Sequence, residues 1–323
     1  MPTITWRVVN LHPNDPAIQS SVAFAVHGRI QVGHASRPGP GPHAVWWKST
    51  ANSLSALEEG SGYASSALGI SGNQVAGYIQ FAAGVRAARW TLGGQRVILA
   101  KSPSLGTAQG TKGTGGDSAG QATLWDPDGL PKVMHPADAV WSRVYGVHAD
   151  RQAGVVTTAM GDQAALWNST EDSFVLLHPE GASVSQAFGI YGDRQVGHVS
   201  HRSCLWRDAA HRLTYLHPAG YQTSVARAVH RHYQAGWAWK KGNDRAGVWQ
   251  DTPESWMDLH QHLPSSFSRS QAWGIWSHAN VIRVVGYGYN SALGRGEALL
   301  WIGQVIAPTV PQPPQPPDLP VHP

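Results

Sequence analysis

Between Leu177 and His198 the chain reads LHPEGASVSQAFGIYGDRQVGH, and between Leu216 and Trp237 it reads LHPAGYQTSVARAVHRHYQAGW. Leu-His-Pro, a serine, an alanine and a glycine keep their places in both, while the bulkier residues between them change. Self-similarity at a period of about 40 residues is the mark of a repeat architecture, in which each unit buries its apolar face only against its neighbours.

The phrase extends along the chain. Ala23–Gly33, Ala67–Gly77, Val144–Gly154, Ala187–Gly197 and Ala226–Gly236 share a spacing of ten. A tryptophan follows each glycine by thirteen at Trp46, Trp90, Trp167 and Trp249, and by nine at Trp206. Ala272, Gly286 and Trp301 repeat the order with longer loops, and a worn copy, SLGTAQGTKGTGGDSAGQATLW, ends on Trp125. Seven units are therefore expected, set on tryptophans 46, 90, 125, 167, 206, 249 and 301.

Each unit reads as four short strands. SQAFGIYG is the first, turned at Gly192-Asp193, a pair suited to the positive φ of a tight hairpin. RQVGH is the second, its glycine allowing close approach by a neighbour. QAALW and SFVLLHP stand for the third and fourth. No apolar period of helical spacing runs for a useful length. Four strands in about 42 residues predict a blade of a β-propeller. The expected fold is thus all-β, a seven-bladed propeller over residues 1–306 whose third blade, about 100–136, is degenerate. The last unit stops after its third strand, EALLWIG, so TWRVVNLHP at Thr5–Pro13 is expected to supply the missing fourth and close the ring. Closure removes the free sheet edges of an open array. Residues 307–323, APTVPQPPQPPDLPVHP, read as a proline-rich linker or tail of polyproline II character.

Composition narrows the function classes. Charged residues make up 14% of the 323, and the net charge is +4 with no basic cluster longer than Lys240-Lys241. Nucleic-acid binding needs a concentrated basic stripe and is not expected. A single cysteine, Cys204, excludes an intrachain disulfide and a cysteine-based zinc cage, and its apolar neighbours make it a small buried hydrophobe. The first residues, MPTITWRVVNLHP, lack the basic and apolar regions of a signal peptide, and no stretch approaches the roughly 20 apolar residues of a membrane helix. No membrane insertion is expected, and a monomer is.

The order small–x–Gly–Ile/Val, then Gln-Val-Gly, then Ala–x–Leu–Trp resembles the HAF-type extracellular repeats of bacteria. It is similar also to a group of bacterial tryptophan-rich repeat proteins that carry the phrase LHP…S…A.GI.G.QVG…AALW. The resemblance spans Thr5 to about Gly303. It implies a bacterial, secreted or cell-surface origin, and brings no established activity with it.

Motifs of catalysis are missing. Hydrolytic propellers need convergent carboxylates, and the chain has 20 acidic residues in all. Asp126-Pro-Asp128-Gly129 reads as turn chemistry, and GTKGTGG at 110–116 as a loose loop, because it lacks the lysine–serine/threonine ending of a phosphate loop. Of 17 histidines, His12, His135, His178, His217 and His260 share the Leu-His-Pro position and are expected to cap turns. His27, His148 and His230 form a second column, near a mouth of the channel but on separate blades. His230 and His232 alternate along a predicted strand and are the best remaining pair for a metal. Neither metal nor cofactor is expected.

The residue after the fixed glycine is His34, Tyr78, Val155, His198, Trp237 or Tyr287, a column of rings with polar tips where a packed interface would place valine or isoleucine. Trp239 follows Trp237 by strand alternation, and Trp141 lies where its blade's first strand begins. His34, Tyr78, Trp141, His198, Trp237, Trp239 and Tyr287 are the candidate ligand-binding residues. The reading they support is non-enzymatic, lectin-like binding of a glycan. The alternatives are a protein-interaction scaffold, a structural repeat protein without a small ligand, and an enzyme with loop-borne groups.

Overall fold

The structure is a computed structural model that describes residues 3–39, 41–57, 63–100, 103–110, 112–207 and 212–306. The proline-rich segment 307–323 lies outside the described residues. Strands gather into seven antiparallel sheets of four, each a meander in chain order except the last. The blades run over residues 20–56, 65–98, 104–133, 141–176, 185–215, 223–258 and 267–306. In the seventh, β1 (Thr3–Asn10) pairs antiparallel with β28 (Arg295–Ile306), Val8 facing Trp301 and Trp6 facing Gly303. The N-terminal strand closes the ring, as the split last unit requires.

The fixed residues of the repeat are those that the ring geometry dictates. Every innermost strand carries a β-bulge, between Ala23 and Ala25, Ala67 and Gly69, Gly106 and Ala108, Val144 and Gly146, Ala187 and Gly189, Ala226 and Ala228, and Ala272 and Gly274. Opposite each bulge stands the fixed glycine of the second strand. A Cβ on Gly33, Gly77, Gly116, Gly154, Gly197, Gly236 or Gly286 would lie 1.8–2.0 Å from a carbonyl oxygen of the bulged strand. Any side chain there is excluded. The worn third unit obeys the rule through Gly116, and of the stretch expected to be a loose loop, Gly110 and residues 113–116 lie in strands. Gly110 ends β10 (Ser104–Gly110), and Gly113 begins β11 (Gly113–Ser118) and pairs with Gly110.

The repeat tryptophan fills the wedge against the preceding blade. Trp90, Trp125, Trp167, Trp206, Trp249 and Trp301 are fully buried, and in the first blade the buried residue is Trp47, whereas Trp46 is half-buried. Trp47 faces Gln31 as Trp167 faces Gln152, two residues before the fixed glycine in both cases. The first blade therefore has one more residue between glycine and tryptophan than the spacing of thirteen predicts.

Leu-His-Pro joins consecutive blades. The N–H of Leu177 donates to the carbonyl of Ala164 at 2.8 Å, and the Ala164 N–H donates to Oγ of Ser185, the first residue of the next blade, at 2.8 Å. His178 bonds that same oxygen through Nδ1 at 2.8 Å and the Ala182 carbonyl through Nε2 at 3.1 Å. Nε2–H donates to the carbonyl, and in the neutral imidazole this fixes the tautomer in which Nδ1 accepts from the serine hydroxyl. The serine accepts from a third-strand N–H at all seven junctions, at Ser21, Ser65, Ser104, Ser142, Ser185, Ser224 and Ser270. His12, His135, His217 and His260 repeat the imidazole's contact with it at 2.7–2.9 Å. The Leu-His-Pro histidines thus staple blade to blade rather than merely capping a turn.

Candidate functional site

A bulge breaks the alternation of a strand and leaves one residue unopposed. Here those residues are Phe24, Leu68, Thr107, Tyr145, Phe188, Arg227 and Trp273, one per blade, and all seven line the central channel. On its upper side, where the innermost strands begin, a cavity of about 210 Å³ is walled by the same seven together with Leu105 and Arg143. Around the wall, Phe24 meets Trp273 with centroids 5.3 Å apart, and Tyr145 meets Phe188 at 5.2 Å, both edge to face.

The two arginines of this wall differ. Arg143 donates from Nε to Oδ1 of Asp117 at 2.5 Å, with its guanidinium over the ring of Trp141 at 4.7 Å. Its charge is compensated. Arg227 lies between two rings, 4.0 Å from the centroid of Phe188 and 4.4 Å from that of Trp273, with Trp237 at 5.9 Å. Among the described residues it has neither an ion pair nor a hydrogen bond. Protein surrounds it, while part of its surface stays against the open channel. Burial pulls its pKa down to about 10, so it remains a cation at neutral pH.

The seven sequence-derived candidates form a layer behind and outside this wall. His34 packs edge-on to Phe24 at 5.2 Å and bonds Ser66 Oγ at 3.1 Å. His198 is 8% exposed, lies against Phe188 at 5.7 Å and stacks on His201. Burial brings the pKa of both imidazoles down to about 4. Trp237 backs Trp273 at 5.4 Å. Tyr78 and Tyr287 are half-buried beside Ser66 and Gln271, and burial raises the pKa of both phenols. Trp141 opens its blade under Arg143, and Trp239, 38% exposed, is the outermost ring. In the third blade Asp117 occupies the column where the others carry rings or Val155.

His27, His148 and His230 sit at the opposite, lower mouth. They belong to a continuous arc in which His148 and Tyr191 are 4.5 Å apart, Tyr191 and His230 4.4 Å, and His230 and His27 flank Trp276. Nδ1 of His230 accepts the Ser277 N–H at 3.2 Å, and Nδ1 of His148 accepts the Gly192 N–H at 3.2 Å. His232 does not share a strand face with His230. The strand ends at His230, the chain turns through Arg231 at φ 56°, and His232 meets Asp251 at 3.2 Å. Among the described residues no group of three or more His, Cys, Asp or Glu is placed to hold a metal ion.

No protein-family model matches the sequence, and no curated protein is similar to it. Solved structures share the fold. A prolyl endopeptidase superposes with a TM-score of 0.53 at 12% identity, covering 90% of this chain and 51% of its own. A puromycin hydrolase gives 0.52 at 11% over 89% and 56%. A puromycin-hydrolysing peptidase of Mycobacterium tuberculosis gives 0.53 at 12% over 90% and 56%. The chain spans about half the length of these enzymes, and at such identity the likeness concerns the fold alone.

Proposed function

We propose that this chain is a non-enzymatic binding propeller that takes carbohydrate at the upper mouth of its channel. The supporting observation is the wall of the cavity, where Phe24, Tyr145, Phe188 and Trp273, from four different blades, line one space of about 210 Å³. Aromatic faces take the C–H faces of sugar rings, and a few polar groups fix orientation. The space is smaller than the roughly 300–1,000 Å³ of pockets for drug-sized ligands, so one sugar residue enters it. His34, His198 and Trp237 hold the wall rings in place from behind. Trp141, Tyr78, Trp239 and Tyr287 extend the contact outward to residues attached to the first. A bacterial cell-surface setting, implied by the resemblance to HAF-type repeats, is part of this proposal.

A glycan array with the purified chain tests the reading, followed by tryptophan-fluorescence titration of the hits. Trp273→Ala is expected to abolish binding with the fold retained, and the double change Trp237→Ala, Trp239→Ala to weaken it. Binding that survives Trp273→Ala overturns the assignment of the site. One further observation favours a protein partner as the second reading. A groove of about 410 Å³ between the sixth and seventh blades is lined by Trp6, Tyr221 and Trp256, which would suit a peptide.

A further inference from the structure

Arg227 is the one bulge residue that carries a charge, and among the described residues no carboxylate pairs with it. Structural arginines inside proteins are paired, because an uncompensated buried ion costs several kcal/mol. Arg143, two blades away on the same wall, is paired with Asp117. Two acids on third strands of the ring are engaged as well. Oδ1 and Oδ2 of Asp162 accept from Thr157 and Gln186 at 2.6 Å each, and Asp244 accepts from Gln271 at 2.6 Å. The guanidinium carbon lies over the rings of Phe188 and Trp273, and among the described residues its N–H groups have no hydrogen-bond acceptor. A planar fork of donors held between hydrophobic walls matches a carboxylate, which it can take through two parallel bonds. A single cation is neutralised by a single negative charge, whereas a dianionic phosphate would leave an uncompensated charge in the channel.

We infer that Arg227 is an anion-recognition residue and that the ligand of the upper cavity is a saccharide bearing a carboxylate, such as a uronic acid. This rests on the carbohydrate reading above for the sugar, and on the unpaired guanidinium for the acid.

Three probes separate the two parts: glucuronate, methyl glucoside and acetate, each titrated by calorimetry and by tryptophan fluorescence. Charge-assisted hydrogen bonds predict that glucuronate binds roughly 10- to 100-fold more tightly than methyl glucoside. Arg227→Met keeps the stem between the rings and removes the charge, and is expected to bring that ratio to about one. Circular dichroism and a thermal melt establish that the variant is folded. In the wild-type chain, independently of any variant, added salt should weaken glucuronate and leave methyl glucoside unchanged. Equal affinity for the acid and the neutral sugar, a preference that survives Arg227→Met, or salt-independent glucuronate binding overturns the inference while leaving the carbohydrate reading intact. Acetate binding as tightly as glucuronate leaves the anion site and overturns the sugar. If none of the three binds at millimolar concentrations, both are overturned.

Discussion

Replacing Ser185 with alanine removes one oxygen that serves two elements of the inter-blade staple. The Ala164 N–H loses its acceptor, and Nδ1 of His178 loses its donor, each from a contact of 2.8 Å. Ser185 is fully buried, so water does not replace it at the amide. A buried polar group left unsatisfied costs about 1–3 kcal/mol. His178 is half-buried, and solvent recovers part of its share. The expected loss is therefore roughly 2–4 kcal/mol, a large fraction of a domain's net stability. His178→Ala leaves the Ala164–Ser185 bond in place and should cost only about 1 kcal/mol. The junction between the second and third blades supplies an internal control. There Leu99 and Ser104 make the same backbone contacts, to the Ala87 carbonyl and N–H, but Ala100 stands where the histidine would be. Ser104→Ala should cost less than Ser185→Ala by the histidine's share. Urea titrations followed by tryptophan fluorescence measure all three, with an unchanged m-value as the check on two-state comparison. A loss below about 0.5 kcal/mol for Ser185→Ala would refute the staple. Equal costs at Ser104 and Ser185 would refute the histidine's part in it.

Acid should destabilise the ring well before its carboxylates protonate. His34, His198 and His230 have folded pKa values of about 4 against 6.5 when free, burial being the main cause in each. The unfolded chain thus binds protons that the folded chain refuses. Stability is fully present above about pH 6.5, falls by up to about 1.4 kcal/mol per pH unit per histidine below it, and is lost in full once the pH passes about 4. The shares of His34 and His230 are smaller than that of His198, because both residues are partly open to solvent. Urea midpoints between pH 7 and pH 5 check the slope, and a flat profile there contradicts it. Gly197→Ala, whose Cβ would sit 1.8 Å from the Gln186 carbonyl oxygen, should cost roughly 3 kcal/mol or more. Gly181→Ala, with φ +76° and open space around it, should cost only about 1–2 kcal/mol, and similar melts for the two would remove the steric explanation of the fixed glycine.

How far the sequence could be read follows from which residues the ring constrains. The glycine opposite each bulge, the serine of each junction and the wedge tryptophan meet the same atoms in every blade, so they recur and the blade count is legible. The reading slipped where two residues fit one constraint. Trp46 and Trp47 are adjacent, and only strand register decides that the second faces Gln31. In the third blade the tryptophan ending is legible and the stretch before it reads as loop, because β11, GTGGDS, is half glycine, with a single β-branched residue and no aromatic one to mark a strand. Its Gly106–Gly116 spacing of ten was the available signal.

The site was legible only in its outer layer, for a physical reason. Counting every second residue along SQAFGIYG assigns faces on the assumption of an unbroken pleat, but the bulge shifts the phase at Phe188 and turns that residue into the channel. The residue after the fixed glycine keeps its phase, so His34, His198 and Trp237 stood out as a column of rings, although they serve here as the backing of Phe24, Phe188 and Trp273. The bulge position is also a place on the channel wall where the frame makes little demand on the side chain. Its neighbours must be small, since a Cβ on Gly146, Gly189 or Gly274 would lie within 2.7–3.1 Å of atoms of the adjoining blade, yet the bulged side chain itself points into open channel. Seven copies of one frame thus carry phenylalanine, leucine, threonine, tyrosine, phenylalanine, arginine and tryptophan at a single point. In a ring built from equivalent blades, recognition of an unsymmetrical ligand requires a position at which the blades can differ without disturbing their packing. The residue that drifts between the two phrases, Phe188 in one and Arg227 in the other, occupies that position.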